Sequence, residues 1–489
     1  MDEKDIKKNA VTSVIWKFLE RIGAQLVSLV VSIILARILD PTDYSVVSVV
    51  TIFFTFANVL ISGGLNTALI QKKEADEEDY STVLHVSVLL SFVIYGVLFF
   101  TAPLIAHAYK QDILVLIIRI MGLSLPVTAV KSIWCAYISS NLQFKKFFFS
   151  TLGGTAVSAV VGIVLALNGA GAWALVAQQM SNTVIDTCIL IATTRIHIVP
   201  RISPKKLQVL FRYGWKVFVS SLIGTAYSQI VPLVIGVKYT KADLSYYTKG
   251  RSFPELISTT TTNTLSAVLF PTLAKFQNDR EKLLRYTRLF IRVASFVSFP
   301  LMLGFLAVSD NFIRVVLTEK WLPASPYIKI FCVACMFDMI HIGNCETIKA
   351  MGRSDIYLIM EIIKKVGYFL TIFLFLWLTD TPEALALAFL VCTLIAIVVN
   401  AVPNRMLIGY KFRHQLMDLL PNLITAGIEC GAVLLVGMLH INDAVLLILQ
   451  IVTGVAVYLG VSIIIKNSSL FYILNFVKGQ VRRKHEKNI

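Results

Sequence analysis

The sequence has 489 residues, of which 56% are hydrophobic and only 15% are charged, and its mean hydropathy is +0.75. Soluble domains typically carry about 25% charged residues, so this composition excludes an ordinary soluble protein and indicates a membrane protein. Lysine and arginine outnumber aspartate and glutamate, 45 to 29, which gives a net charge of +16. All seven cysteines lie in apolar stretches, and an odd number so placed argues against a disulfide framework.

About fourteen apolar stretches are long enough to cross a bilayer, which takes roughly 20 helical residues. We predict membrane helices at residues 11–39, 44–70, 80–106, 113–138, 147–167, 172–192, 211–237, 243–273, 284–308, 327–349, 355–378, 383–403, 416–439 and 444–465. The predicted fold class is an all-α polytopic membrane protein. An even number of crossings places both termini on the same side of the membrane.

Basic residues concentrate in alternate loops and indicate the orientation. The loop at 193–206 has four of them, and the tail at 477–489 is also rich in lysine and arginine. By the positive-inside rule, these richer loops and both termini are cytoplasmic. This signal accounts for most of the net charge, so we expect no nucleic-acid partner and expect the tail to lie on anionic membrane lipid.

The exits of two spans resemble each other and suggest an internal duplication. ILARILDPTDYSVVS at 34–48 and VIGVKYTKADLSYYTKG at 234–250 both place a polar turn with aspartate before a tyrosine-led helix. We predict two six-helix lobes related by pseudo-two-fold symmetry, with a cavity between them lined by the first two helices of each lobe. The predicted domains are residues 1–200 (helices 1–6), 201–410 (helices 7–12) and 411–489 (two extra helices and the basic tail).

The first span carries charge where lipid disfavours it. Lys17, Glu20 and Arg21 share a sector of about 140° with serine and glutamine side chains. A lysine or arginine at the middle of a membrane helix costs about 2.5–3.5 kcal/mol, so this face predicts an aqueous cavity. The alternative is that Lys17 and Arg21 extend to the cytoplasmic headgroups and that Glu20 pairs with them.

The eighth span has a second polar face. Arg251, Glu255, Ser258, Thr262 and Ser266 fall within a stripe of about 80°. Helix packing or local hydroxyl bonding explains most such serines and threonines, but it does not explain the arginine. Prolines in the seventh and eighth spans indicate that these helices bend.

Further charges lie within predicted spans. They are Arg119 and Lys131 on the fourth, Lys216 on the seventh, Asp338 and His341 on the tenth, Glu361, Lys364 and Lys365 on the eleventh, and Glu429 on the thirteenth. We interpret Asp186, near the cytoplasmic end of the sixth span, as interfacial.

Two roles are predicted for the charges inside the spans. The basic set forms a cationic cavity for an anionic, amphiphilic cargo such as a lipid pyrophosphate, and comprises Lys17, Arg21, Arg119, Lys131, Lys216, Arg251, Lys364 and Lys365. The candidates for ion coupling are Glu20, Glu255, Asp338, His341 and Glu361. For Asp338 and His341, a packed and satisfied polar pair remains the alternative.

Motifs of enzyme chemistry are absent from the sequence. It has neither a phosphate-binding GxxxxGK[ST] loop nor an HExxH metal motif. Cys332 and Cys335 form a CxxC, but within an apolar helix, so we interpret them as small buried side chains. We expect a transporter rather than an enzyme, with no cofactor and no metal site.

Four segments carry a family resemblance. They are FLERIGAQLVSLVVSIILARILDPTDYSVVS at 18–48, GGLNTALIQKKE at 63–74, ALNGAGAWALVAQQ at 166–179 and VLFPTLAKFQ at 268–277. In order and spacing they resemble the bacterial polysaccharide flippase family, the Wzx-type transporters. This family belongs to a superfamily with the multidrug and toxic-compound extrusion (MATE) proteins and the lipid II flippase.

The resemblance implies a MATE-like fold that alternates between inward- and outward-open states. It implies a flippase that moves undecaprenyl-pyrophosphate-linked oligosaccharides across the bacterial cytoplasmic (inner) membrane for surface polysaccharide synthesis, with a polysaccharide polymerase of the same pathway as a partner. Relatives place basic residues on the first and eighth helices, which Lys17, Arg21 and Arg251 match. The lipid II flippase also has a basic residue in its second helix, whereas the span at 44–70 has none.

Two other functions remain open. A multidrug antiporter of the same fold would keep a carboxylate on an otherwise uncharged first helix, but Glu20 lies beside Lys17 and Arg21. A membrane-embedded polymerase or glycosyltransferase would need a large extracytoplasmic loop, and the largest candidate, 309–326, is short.

Overall fold

The computed structural model describes residue 16 and residues 23–72, 75–141 and 143–475, apart from the side chains of residues 263–265, 267, 268, 270 and 271. Within these ranges the protein is helical and has no strand. The first helices are α1 (Gly23–Ile38), α2 (Pro41–Ser62), α3 (Leu65–Gln71), α4 (Glu77–Ala108), α5 (Ile113–Gly122), α6 (Ser124–Ser140), α7 (Phe144–Leu167), α8 (Ala172–Thr193) and α9 (Pro204–Lys238).

The remaining helices follow in chain order. They are α10 (Lys241–Ala274), α11 (Arg280–Phe312), a π-helical turn (Ile313–Leu317), a 3-10 helix (Glu319–Ala324), α12 (Ser325–Cys335), α13 (Asp338–Ala350), α14 (Ser354–Leu378), α15 (Pro382–Ile408), α16 (Phe412–Val436) and α17 (Asp443–Ile464).

Within the described residues, every predicted span coincides with a helix or a pair of consecutive helices. In the described ranges, ten helical segments are long and apolar enough to cross a membrane, and α1 is a shorter apolar helix. The other three spans are α8, α10 and α14, which have 22, 34 and 25 residues and carry more polar side chains. The predicted all-α polytopic fold class is therefore confirmed.

Three of the predicted spans are interrupted, one of which, at 327–349, divides into α12 and α13. The span at 44–70 divides into α2 and α3 at Gly63 and Gly64, whose φ angles of 50° and 71° end a right-handed helix. The span at 113–138 divides into α5 and α6 at Leu123. Pro126 follows in the first turn of α6, where a missing N–H is tolerated.

The two loops that suggested a duplication adopt the same local structure. The backbone N–H of Asp40 donates to Asp43 at 3.1 Å, and the backbone N–H of Thr240 donates to Asp243 at 2.9 Å. In both loops the aspartate lies three residues into the turn and caps the start of the next helix. The sequence similarity of these loops therefore reflects a shared capping interaction.

The helices group into two compact units, Met1–Ser245 and Tyr246–Ile489. In the first unit, α2 packs on α4 and α9, α7 packs on α8, and α3 contacts α6 and α9. Its core includes Leu69, Ile133 and Trp134, and the Trp134 indole N–H donates to the Thr194 carbonyl at 2.9 Å. The predicted domain boundaries at residues 200 and 410 stay a prediction.

In the second unit, α11 is the central helix. It packs on α12, α13, α16 and α17, while α15 packs on α12, α13 and α14.

Many outward-facing side chains in both units are large and apolar, such as Phe100, Trp377 and Ile464, each more than three-quarters exposed. Apolar surfaces of this extent belong against lipid rather than water.

The contact between α3 and α9 yields a prediction about stability. A Cβ on Gly64 would lie 2.1 Å from the Gly214 carbonyl oxygen, whereas a Cβ on Gly169, which also has positive φ, would meet nothing within 4 Å. We expect Gly169→Ala to cost about 1–2 kcal/mol from backbone strain alone. Gly64→Ala should cost about 1–3 kcal/mol more, because the backbones must also separate.

Thermal unfolding of the detergent-purified variants measures this difference. Equal midpoints for the two alanine variants would contradict the backbone contact between α3 and α9.

Candidate functional site

Three predicted site residues lie outside the described residues: Lys17 and Arg21 of the cationic cavity, and the ion-coupling candidate Glu20. Their assignment to an aqueous face of the first helix stays a prediction, as does the alternative that they contact lipid headgroups.

Arg251 on α10 is held by a carboxylate and two aromatic rings. Its Nε donates to Glu255 at 3.1 Å and a terminal nitrogen donates to the other carboxylate oxygen at 3.3 Å. The guanidinium carbon lies 5.9 Å from the ring centre of Phe331 on α12 and 5.5 Å from that of Phe389 on α15. Attraction between the cation and the ring faces therefore fixes the guanidinium between helices.

The two members of this ion pair differ in exposure. The Arg251 side chain is 20% exposed, whereas that of Glu255 is 48% exposed. The pair spans one helical turn, as the predicted stripe on the eighth span requires. A guanidinium has five N–H donors and a carboxylate engages two of them here, so Arg251 has the donor capacity to bind a second anion.

Asp338, the first residue of α13, contacts α10 at Ser258, about two turns beyond Arg251. It accepts a short hydrogen bond from the Ser258 hydroxyl, which joins α13 to the polar stripe of α10. As the first residue of a helix, Asp338 also faces the positive end of the helix dipole. The hydrogen bond from Ser258 thus connects the predicted polar face of α10 to Asp338, one of the candidates for ion coupling.

His341 and Asp338 do not share a partner. The His341 ring contacts the Asn400 side-chain amide through Nδ1, and its Nε2 lies 3.9 Å from the sulfur of Cys345. Glu361 on α14 accepts a hydrogen bond from Lys364 at 2.5 Å. The structure therefore places His341 with Glu361 and Cys345, and pairs Asp338 with Ser258 on α10.

The other predicted basic residues lie in different surroundings. Lys131 on α6 forms an ion pair with Asp186 at 2.5 Å, and the Asp186 side chain is buried; its interfacial position in the membrane stays a prediction. Arg119 stacks on Phe99, with 4.3 Å between its guanidinium carbon and the ring centre. Lys216 on α9 is exposed and Lys365 on α14 is half-buried.

The first unit contains an uncharged polar cavity of about 170 Å³ between α2, α5, α6 and α8. Its walls are mostly hydroxyl and amide side chains, with one phenylalanine and two methionines: Thr51, Phe54, Thr55, Asn58, Met121, Ser124, Thr128, Gln179, Met180 and Thr183. These groups offer hydrogen bonds of both kinds to a neutral ligand.

A second cavity, of about 560 Å³, opens among the loops of the first unit. Its walls include Lys72, Asp76, Tyr137, Arg195 and His197. Hydrogen bonding from the nearby Lys206 ammonium, at 2.5 Å, lowers the pKa of Asp76 to about 2. Asp76 is therefore charged at neutral pH, and this cavity has walls of both signs.

Sequence reasoning missed Lys249, which is only 7% exposed. Its ammonium lies 5.7 Å from the ring centre of Phe253 and 5.8 Å from that of Trp321. Lys249 is two residues before Arg251 and so lies outside the polar stripe of α10. The surrounding aromatic residues are the only signal in the sequence.

An arginine cluster between α11 and α16 was also missed. Asp418 accepts hydrogen bonds from Arg288 at 2.7 and 2.8 Å, from Arg292 at 2.8 Å and from the Tyr410 hydroxyl at 2.8 Å. Because Asp418 is more than 100 residues from both arginines in the chain, only tertiary structure brings them together.

Comparisons with known proteins agree with this fold. A family model described as "Polysaccharide biosynthesis protein" matches residues 34–326. The chain is 23% identical over 366 residues to the lipopolysaccharide biosynthesis protein WzxC of Escherichia coli (strain K12), with 73% of each chain covered.

Two solved structures share the fold. The lipid II flippase MurJ in an inward closed conformation matches with a TM-score of 0.72 at 17% identity, over 95% of this chain and 100% of that one. An inward-facing multidrug resistance MATE transporter matches with a TM-score of 0.58 at 13% identity, over 80% of this chain and 98% of that one. The expectation of a MATE-like fold is confirmed.

The resemblance carried by the four sequence segments is confirmed as well. Because the matched residues 34–326 make up more than half of the chain, the protein belongs to the polysaccharide biosynthesis protein family.

Proposed function

We propose that the protein is a flippase rather than an enzyme. It translocates undecaprenyl-pyrophosphate-linked oligosaccharides for the synthesis of a surface polysaccharide, such as O-antigen, capsule or exopolysaccharide. Family membership, the similarity to WzxC and the fold shared with the lipid II flippase support this proposal. The chain is a multi-pass membrane protein. Its proposed location is the bacterial cytoplasmic (inner) membrane, with both termini in the cytoplasm.

Arg251 is the observation that carries the proposal. A pyrophosphate presents several anionic oxygens, which a guanidinium binds through two parallel hydrogen bonds. Phe331 and Phe389 already fix the position of this guanidinium, so little conformational entropy is lost when an anion binds. Arg251 is therefore the proposed pyrophosphate ligand.

Glu255 is the proposed competitor for the same guanidinium. Its carboxylate is about half exposed, so water can solvate it when the pair opens. An ion pair of this exposure contributes only about 0.2–1 kcal/mol, which an incoming pyrophosphate with more charge can exceed. Binding of the substrate then releases Glu255.

The polar cavity of the first unit is the proposed contact for the glycan. Sugars carry many hydroxyl groups, which donate and accept hydrogen bonds without requiring a charged partner. Thr55 and Asn58 on α2 and Gln179 on α8 offer such groups to that cavity. The polyprenyl chain would stay in the lipid.

Alternating access is the proposed mechanism, with lobes at residues 1–200 and 201–410. In this proposal Lys17 and Arg21 join Arg251 in recruiting the pyrophosphate, and Lys364 and Lys365 extend the positive field. Glu20, Glu255 and Asp338 are proposed coupling sites, and a polysaccharide polymerase of the same pathway is a proposed partner.

The first functional prediction concerns Arg251. Arg251→Ala should reduce surface polysaccharide at least about tenfold in cells that depend on this protein, since each charge-assisted hydrogen bond contributes about 1.5–3 kcal/mol. Arg353→Ala is the matched control, because Arg353 lies outside the predicted spans and its ion pair with Asp355 is exposed. Membrane levels of both variants are measured alongside. A wild-type amount of surface polysaccharide in cells with Arg251→Ala would contradict the assignment of Arg251 as the pyrophosphate ligand.

The second functional prediction concerns Glu255. Glu255→Gln removes the competing charge and should tighten the binding of a short polyprenyl pyrophosphate by a few-fold, consistent with an ion pair of about 0.2–1 kcal/mol. Titration calorimetry on the purified protein measures the dissociation constant. Weaker binding by the glutamine variant would show that Glu255 supports the anion site instead of competing for it.

The third functional prediction separates Lys131 from the binding residues. Removing Lys131 should destabilise the protein by about 3–5 kcal/mol, because the charge of the buried Asp186 is left uncompensated. The double variant Lys131→Met, Asp186→Leu should recover stability and support normal surface polysaccharide. If the double variant is stable but the cells that carry it have no surface polysaccharide, Lys131 belongs to the substrate-binding residues after all.

A further inference from the structure

Three side chains of different chemistry converge where α13 packs on α14. His341 and Cys345 lie one turn apart on α13, and Glu361 faces them from α14. One nitrogen, the sulfur and one carboxylate oxygen all lie within 4.8 Å of one another. Imidazole, thiolate and carboxylate are the three ligand types that zinc takes in proteins.

The spacing of these atoms is close to that of a metal site. Zinc bonds of about 2.3 Å to sulfur and 2.0–2.1 Å to nitrogen, at a tetrahedral angle, separate the two ligand atoms by about 3.6 Å. His341 Nε2 and Cys345 Sγ are 3.9 Å apart. Small side-chain rotations are sufficient to bring all three atoms to bonding distance, with a fourth position left for water.

Asn400 on α15 supplies the outer partner that a metal-binding histidine needs. Its side-chain amide contacts Nδ1 of His341, and its Oδ1 is buried without a hydrogen-bond partner. Exchanging the oxygen and nitrogen of this amide, which occupy nearly the same volume, lets Oδ1 accept from Nδ1–H. That tautomer leaves the lone pair of Nε2 free to bind a metal.

The surrounding charge and burial also suit a divalent cation. A thiolate and a carboxylate bring two negative charges, which the Lys364 ammonium, hydrogen-bonded to one oxygen of Glu361, offsets only in part. Cys345 is 3% exposed and packs with Ile348 and Met360 in an apolar cluster. An apolar shell lowers the local dielectric constant and strengthens a metal–thiolate bond.

We propose that His341, Cys345 and Glu361 bind a zinc ion that ties α13 to α14, with Asn400 of α15 orienting His341. The ion serves to hold three helices of the second unit together. This site replaces the coupling role that the sequence suggested for His341 and Glu361, and it is independent of the proposed flippase function.

Metal uptake by the full-length protein in detergent tests the proposal. The protein is stripped with a chelator, reloaded with Zn²⁺ and desalted, and bound zinc is measured by atomic emission. Reloading with Co²⁺ reports the sulfur ligand through a thiolate-to-cobalt absorption band. We expect one zinc per chain and a clear thiolate band in the wild type.

Variants locate the site. Cys345→Ser should lose the thiolate band and most of the zinc, and Glu361→Gln should bind zinc more weakly. Asn400→Leu should weaken zinc binding by about 10- to 100-fold, as outer-shell substitutions do. Cys392→Ser on α15 is the matched control, since Cys392 is another buried cysteine but lies outside the cluster, and it should behave as the wild type.

The wild type alone can overturn the proposal, whether or not a variant folds. Reloaded wild-type protein with no zinc above background, or with cobalt but no thiolate band, excludes the site. Equal zinc and an equal thiolate band in a folded Cys345→Ser variant would exclude it too. None of these measurements depends on transport. A negative flipping assay therefore does not contradict the zinc site, and the absence of zinc does not contradict the flippase proposal.

Discussion

A charge inside a membrane protein is costly without a partner, and ion pairs between helices or along one helix neutralise several of the charges within this chain. An isolated lysine or arginine at the bilayer centre costs about 2.5–3.5 kcal/mol or more. In the described helices, Lys131 pairs with Asp186, Lys364 with Glu361, and Arg251 with Glu255. The carboxylates are 5%, 25% and 48% exposed, respectively. Of these three pairs, that of Arg251 is the easiest for an incoming anion to open.

The same constraint separates structural pairs from functional ones. Asp186 is buried and lies on a different helix from Lys131, so opening that pair would leave a charge without water or partner. Glu255 lies on the same helix as Arg251 and is half exposed, so in the proposed aqueous cavity it keeps its hydration when the arginine turns to another anion. Aromatic rings on two further helices hold the guanidinium in place meanwhile. The proposed binding site is thus a charge that is fixed in position but weakly neutralised.

How much the sequence could predict depends on the range of each interaction. Helix positions follow from local hydropathy and length, and the pair of Arg251 with Glu255 follows from a spacing of four residues. By contrast, no local pattern connects Lys131 with Asp186, or His341 with Asn400, because packing of distant helices creates those contacts. The helix break at Gly64 had a local signal in its paired glycines, but the close approach to α9 that it permits did not.

Reconstitution into liposomes tests the central claim most directly. A fluorescent polyprenyl-pyrophosphate oligosaccharide is placed in the membrane, and its protection from a membrane-impermeant reagent is followed over time. Uptake or efflux of ethidium under an imposed proton gradient is measured in the same vesicles. We predict that the lipid-linked oligosaccharide is translocated and that ethidium is not. Ethidium movement without translocation of the lipid would contradict the flippase account and favour a multidrug antiporter on the same fold.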